Sequence, residues 1–271
     1  MRNTTRILIS IVAAQFLIVF NFGFRPQCTL AGSKRGQQME GFTVEAKYPH
    51  DPRAFTQGLE YHNGYLYEST GLNGQSSLRK VDLKTGEVVK EVNVPAQYFA
   101  EGLTILGNKI YQLTWQTKLG FIYDLDTFKQ IGQFSYDWEG WGLTNDGQHL
   151  IMSDGSNKLR FVDPSTFRIV KSMDVFSQGA PLRELNELEY INGVIFSNIW
   201  HSNKIARIDP KTGKLMGFLD LTGLSSGLHL GEEDVLNGIA YNRNSNRLIV
   251  TGKRWPALFV IAVRTRRQDS R

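Results

Sequence analysis

The 271-residue sequence has one cysteine, Cys28, so no internal disulfide can form and the fold must hold by its core alone. Its five histidines, His50, His62, His149, His201 and His229, share no i, i+2 or i, i+4 spacing, which removes the usual sign of a zinc site. There is no P-loop and no G-x-G-x-x-G, so nucleotide chemistry has no visible foothold. Gly223-Leu224-Ser225-Ser226-Gly227 spells G-x-S-x-G, but a nucleophile elbow needs a strand before it and a helix after it. Here it falls between two repeats of an all-β pattern and reads as a loop.

An excess of positive charge is missing from the body of the chain. The formal net charge is +5, yet residues 1–40 hold five basic and one acidic residue and residues 264–271 hold four and one, which leaves 22 basic against 24 acidic between them. Nucleic acid is therefore not an expected partner. Long apolar runs are scarce as well. The exception is residues 7–24, ILISIVAAQFLIVFNFGF, behind Arg2 and Arg6. A positive flank before such a run is a secretory signal or, if retained, a membrane anchor near the lower length limit for spanning. Either places the body outside the cytoplasm, periplasmic or secreted. The expected domains are 1–24 signal or anchor, 25–40 polar linker, 41–263 folded body and 264–271 basic tail.

What the body does have is repetition. Glu101 opens EGLTILGNKIYQLTW, two short strands about a turn at Gly107-Asn108. Gln57 opens QGLEYHNGYLYESTG, Trp141 WGLTNDGQHLIMSDG, Asn186 NELEYINGVIFSNIW and Asn237 NGIAYNRNSNRLIVTGK. Recurrence every 40–50 residues or so is the period of propeller blades. After each of the first four hairpins a third strand ends in Asp-x-x-Thr: Asp82/Thr85, Asp124/Thr127, Asp163/Thr166 and Asp209/Thr212. Aspartate there is turn chemistry, because its side chain bonds backbone N–H groups two residues on. A fourth strand follows each turn, and four strands with short connections make a blade. The fifth unit lacks its fourth strand. Phe42–Tyr48 is the spare, so the expected fold is an all-β five-bladed β-propeller whose last blade is closed by the N-terminal strand, a monomer with no edge left open.

In such a ring the first residue of each repeat faces the axis: Gln57, Glu101, Trp141, Asn186 and Asn237. The ends of the second strands add Thr70, Trp115, Trp200 and Lys253. Scaffold letters repeat around the ring, whereas these positions hold one acid, one base, indoles and amides. That is the pattern of a heterogeneous pocket. A carboxylate and an amine in one apolar mouth would be tuned for acid–base work. On the residues alone, two other readings stay open: a non-catalytic propeller that binds a peptide or sugar, and a metal-dependent propeller hydrolase such as a lactonase, for which Glu101, Asn186 and Asn237 can imitate ligands.

Several motifs carry a resemblance over residues 41–263. Phe55-Thr56-Gln57-Gly58-Leu59, Ala100-Glu101-Gly102-Leu103-Thr104, Gln112-Leu113-Thr114-Trp115, Glu139-Gly140-Trp141-Gly142-Leu143, Asn186-Glu187-Leu188-Glu189, Asn198-Ile199-Trp200, Leu236-Asn237-Gly238-Ile239-Ala240 and Thr251-Gly252-Lys253 follow in order. Together they resemble the plant and bacterial glutaminyl-peptide cyclotransferases. The resemblance implies a five-bladed propeller that converts N-terminal glutamine of peptides and proteins to pyroglutamate with release of ammonia, with no cofactor and no metal. It implies Glu101 as proton shuttle, Lys253, Gln57 and Asn186 as groups that hold the substrate and its developing charge, and Phe55, Trp115, Trp141 and Trp200 as an aromatic lining.

Overall fold

A computed structural model describes residues 38–264. The expected signal or anchor, most of the expected linker and the basic tail after Arg264 lie outside the described residues. Alternating apolar and polar residues punctuated by Asn-Gly and Asp-x-x-Thr turns give strands throughout, and no helix occurs among the described residues.

The first strand, β1, runs Gln38–Pro49. Three antiparallel sheets of four strands follow, each ordered as in the chain. The first holds β2 (Thr56–His62), β3 (Tyr65–Thr70), β4 (Ser77–Asp82) and β5 (Val88–Asn93). The second holds β6 (Ala100–Leu106), β7 (Lys109–Thr114), β8 (Leu119–Asp124) and β9 (Gln130–Ser135). The third holds β10 (Leu143–Asn145), β11 (Leu150–Met152), β12 (Lys158–Val162) and β13 (Ile169–Asp174). A small hairpin of β14 (Phe176–Ser177) and β15 (Ala180–Pro181) comes next. The remaining strands are β16 (Leu185–Ile191), β17 (Val194–Ile199), β18 (Lys204–Ile208), β19 (Leu215–Asp220), β20 (Leu236–Asn242), β21 (Arg247–Gly252) and β22 (Ala257–Arg264). They form one eight-stranded sheet in the order β16-β17-β18-β19-β1-β22-β21-β20.

β1 is what joins the two halves of that sheet. From Gly41↔Arg264 to Pro49↔Ala257 it pairs antiparallel with β22, the partner expected for the spare N-terminal strand. It begins earlier than expected, however. Gln38–Glu40, read from sequence as linker, pair parallel with Gly217–Leu219 of β19. Polar composition suggested a linker, but here the acid is buried: Glu40 accepts from Arg207 at 2.5 Å.

The Asp-x-x-Thr turns form as expected. Asp82 Oδ1 accepts the Thr85 N–H at 2.9 Å, Asp124 Oδ1 that of Thr127 at 2.8 Å, and Asp163 Oδ1 that of Thr166 at 2.8 Å. The Thr212 hydroxyl donates to Asp209 at 2.7 Å.

The core lies between neighbouring sheets and between the two halves of the eight-stranded one. Tyr67 and Leu78 of the first sheet meet Leu103 and Ile110 of the second. Tyr111 and Leu113 meet Leu143 and Leu150. Ile151 and Leu159 meet Leu188 and Ile195, Phe196 and Ile205 meet Ile239 and Leu248, and Ala240, Ile249 and Leu258 return to Leu59 and Leu66. The innermost strands accordingly pack in a circuit, β2 on β6, β6 on β10, β10 on β16, β16 on β20 and β20 on β2, as in a propeller.

That circuit is tight enough to dictate residues. A Cβ on Gly58 would lie 2.5 Å from Leu103 N, one on Gly102 2.5 Å from Leu143 N, and one on Gly142 2.0 Å from Asn186 O. These neighbours are backbone and cannot rotate away. Gly142→Ala should therefore destabilise the fold by about 3 kcal/mol. Gly41→Ala, where a Cβ meets nothing within 4 Å, should leave the melting temperature unchanged. Denaturant unfolding of both variants checks this, and equal stability would refute it.

Candidate active site

The axial ends of the innermost strands are built alike. Between β2 and β3 the register slips between Thr56 and Gly58. The same slip occurs between Ala100 and Leu103, between Leu185 and Leu188, and between Leu236 and Ile239. One extra residue at each place makes a β-bulge, which bends the strand and re-aims a side chain. The bulges fall at Gln57, Glu101, Asn186 and Asn237, the positions that open the repeats. In the third sheet β10 starts only at Leu143, and Trp141 is held ahead of it by its N–H, which donates to Ser153 O at 3.1 Å. A backbone bond then fastens the end of the paired strand two residues before the repeat position. Trp115 N donates to Phe99 O, Trp200 N to Glu184 O and Lys253 N to Val235 O, each at 2.9 Å.

All eight sequence-derived site residues meet in one hollow of about 190 Å3. Phe55, Gln57, Glu101, Trp115, Trp141, Asn186, Trp200 and Lys253 line it, together with Phe99 and Glu233. Two other ring positions turn elsewhere. Thr70 shares a hydroxyl contact with Ser77 at 2.9 Å. Asn237 donates to Thr56 O at 2.9 Å and to Gln57 Oε1 at 3.4 Å, so it orients Gln57 instead of joining Glu101 and Asn186 in a ligand set. Among the described residues no three His, Cys, Asp or Glu side chains gather as a metal site. A larger hollow of about 310 Å3 sits at the opposite ends of the innermost strands, around Glu60, Glu189 and Arg243; it has none of these indoles.

The walls are aromatic and mutually braced. Phe99 meets Phe55 edge-on at 6.2 Å between centroids and Trp115 at 5.7 Å, while Trp141 meets Trp200 at 5.7 Å and 86°. Lys253 Nζ sits 4.8 Å from the centre of the Phe55 ring, a cation–π contact.

The polar groups are few and buried. Gln57 Nε2 donates to Glu101 Oε1 at 2.9 Å. Burial pushes the Glu101 carboxyl well above the ordinary carboxylate range; the Lys253 charge and the Gln57 hydrogen bond pull against that push, and the Glu139 charge adds to it. Burial likewise lowers Lys253 from its ordinary value, opposed by the charges of Glu101 and Glu233. Asn186 Oδ1 and Trp200 Nε1 are buried with no hydrogen-bond partner. An unpaired acceptor and an unpaired donor on the wall of a hollow suit a ligand that brings both kinds, such as a primary amide.

Three residues escaped the sequence reading: Phe99, Glu233 and, behind the wall, Glu139. Phe99 stands two residues before Glu101, as Phe55 stands two before Gln57, and Glu139 stands two before Trp141. Attention to that offset would have found both. Glu233 comes from the long connection between β19 and β20, which no repeat aligns.

Comparison with known proteins gives matches in family, sequence and structure. The family model described as glutamine cyclotransferase matches residues 20–263. The glutaminyl-peptide cyclotransferase of Arabidopsis thaliana is 44% identical over 257 residues, which cover 93% of this chain and 80% of that protein. The crystal structure of Myxococcus xanthus glutaminyl cyclase superposes with a TM-score of 0.80 at 38% identity, over 84% of this chain and 98% of that one.

Because the Lys253 charge holds Glu101 down against burial, removing it must raise Glu101 further. In Lys253→Met the Glu101 carboxyl, followed by carbon-13 NMR or infrared titration, should take its proton at higher pH than in the wild type. A titration that stays put or moves to lower pH would show that the two groups do not sense each other.

Proposed function

Given that the chain belongs to the glutamine cyclotransferase family and is a glutaminyl-peptide cyclotransferase, we propose that Glu101 is its proton shuttle and that the hollow around it is where N-terminal glutamine cyclises. The observation that carries this reading is a carboxyl buried at the axis, held by Gln57 and pushed up in pKa, facing unpaired Asn186 and Trp200 atoms.

The substrate's own α-amine attacks its side-chain amide carbon. A new C–N bond closes a five-membered lactam, the old C–N bond breaks, and ammonia leaves. The nucleophile is already tethered, so binding need only fold the side chain into a near-attack shape. The α-amine must lose one proton and the leaving nitrogen must gain one. A single carboxyl tuned towards neutrality takes the first and returns the second, with no net change in its charge. The side-chain amide presents its NH2 to Asn186 Oδ1 and its carbonyl oxygen to donors, for which Trp200 Nε1 and Lys253 are placed. Those donors stabilise the tetrahedral oxyanion more than the starting amide. Phe55, Trp115, Trp141 and Trp200 exclude water and pack the methylene chain.

We further propose that the propeller has five blades. Support comes from the circuit of innermost strands β2, β6, β10, β16 and β20, with β1 as the outer strand of the last blade beside β22. The body acts as a monomer outside the cytoplasm, delivered by residues 7–24 as a signal or held by them as an anchor. If so, cell fractionation should find the full chain outside the cytoplasm, and deletion of residues 1–24 should leave it inside. A wild-type chain found only in the cytoplasm would overturn this.

Glu101→Gln keeps the shape and the partner of Gln57 but cannot shuttle a proton. It should fold with an unchanged melting temperature and lose about 10³-fold in kcat on a Gln-initiated peptide, measured by ammonia release. Retention of full activity would remove Glu101 from this role.

A further inference from the structure

Glu139 lies in the connection between β9 and β10, outside the hollow, yet one of its oxygens reaches two of the walls. Its Oε2 accepts the Trp115 indole N–H at 2.8 Å and the Trp141 indole N–H at 3.1 Å. These indoles come from different sheets, Trp115 from the end of β7 and Trp141 from the approach to β10. Trp141 in turn meets Trp200 edge-on. Three aromatic walls are thus referred to one carboxylate oxygen, and hydrogen bonds to an ionised acceptor are the stronger kind.

The backbone beneath Glu139 is itself fixed. Gly140 N donates to Trp115 O at 3.1 Å. A Cβ on Gly140 would lie 2.5 Å from the Tyr136 hydroxyl and 2.7 Å from Thr114 O. That hydroxyl donates to Thr114 O and accepts from Thr114 N at 3.0 Å. The clamp is therefore built from a rigid base, as a positioning group requires.

We propose that Glu139 is a positioning residue for cyclisation: by holding Trp115 and Trp141 in one orientation it sets the width of the slot into which the glutamine side chain folds. This rests on the reading of the hollow as the cyclisation site. Its charge has a second effect. Among the charged groups that act on Glu101, Lys253 pulls its pKa down and Glu139 pushes it up; Tyr136, close by, is raised chiefly by burial, with a smaller push from the Glu101 charge, and stays neutral. Removing the Glu139 charge must then move the Glu101 titration to lower pH, opposite in sign to the loss of Lys253.

Steady-state kinetics of the full chain on a Gln-initiated peptide across pH, for the wild type, Glu139→Ala and Glu139→Gln, separate these effects. Glu139→Ala loses the acceptor for both indoles and should raise KM about tenfold with a smaller change in kcat. In Glu139→Gln the amide oxygen can still accept from both. That variant should keep KM within about twofold of the wild type while the limb of the pH profile governed by Glu101 shifts to lower pH. A merely structural residue would change the melting temperature and neither KM nor the limb, and that result would overturn the proposal. So would an equal rise of KM in both variants, which would mean that the bonds to the indoles do not set the slot. Failure of the shuttle reading looks different: Glu101→Gln would stay active, while the KM difference between the two Glu139 variants would still report on the slot.

Discussion

Neighbouring innermost strands approach backbone to backbone at Gly58, Gly102 and Gly142, and the rest of the structure depends on that closeness. Four sheets' worth of apolar faces can be buried only if the inner strands converge, and convergence leaves no room for a side chain at these points. In the next repeat Glu187 stands where the glycine was. Its buried carboxyl accepts the Leu59 N–H at 3.3 Å and the Ile239 N–H at 2.9 Å, so it bridges across the axis to two other inner strands. Glycine contact and carboxyl bridge are two solutions to the same crowding. In four of the repeats the bulge beside them turns the preceding side chain out of the ladder, and those side chains meet above the crowded point.

Desolvation follows from the same geometry and supplies the chemistry. A carboxyl in water would be ionised and a poor acid at neutral pH. Glu101, taken out of water among Phe55, Phe99 and the indoles, has its pKa raised by burial, drawn back by the Lys253 charge and pushed further up by that of Glu139. The scaffold therefore does two jobs with one device: it excludes water for stability and tunes a proton carrier by doing so.

Closure of the sheets has its own polar anchor. His50, at the end of β1's approach to β2, contacts Glu68 Oε1 at 2.8 Å, and Glu68 Oε2 accepts from Arg79 at 3.0 Å. Against the cost of burial, the charges of His50 and Arg79 hold Glu68 down at about 2. Thr56, next to Gln57, donates to the same carboxylate at 2.7 Å. The N-terminal strand that pairs with β22 is thus tied directly to the rim of the hollow, which gives a physical reason for its place in the fold.

Local chemistry was legible in the sequence. The Asp-x-x-Thr turns, the repeating hairpins and seven of the lining residues follow from short-range pattern, because each depends on neighbours within one repeat or on position within it; the eighth, Phe55, came only from the family resemblance, and the spare strand for β22 from counting strands per repeat. What needed the tertiary structure is everything that links one repeat to another. The parallel pairing of Gln38–Glu40 with β19 was hidden by a polar composition typical of linkers. Asn237 shared its place in the repeat with Gln57 and Glu101, yet turned to support Gln57. Glu139 showed no chemistry of its own until two indoles from different sheets were found on one of its oxygens. Sequence records which residues a repeat offers to the axis; which of them face the same hollow is decided by the angle between sheets, and that angle comes from the packing of all the sheets together.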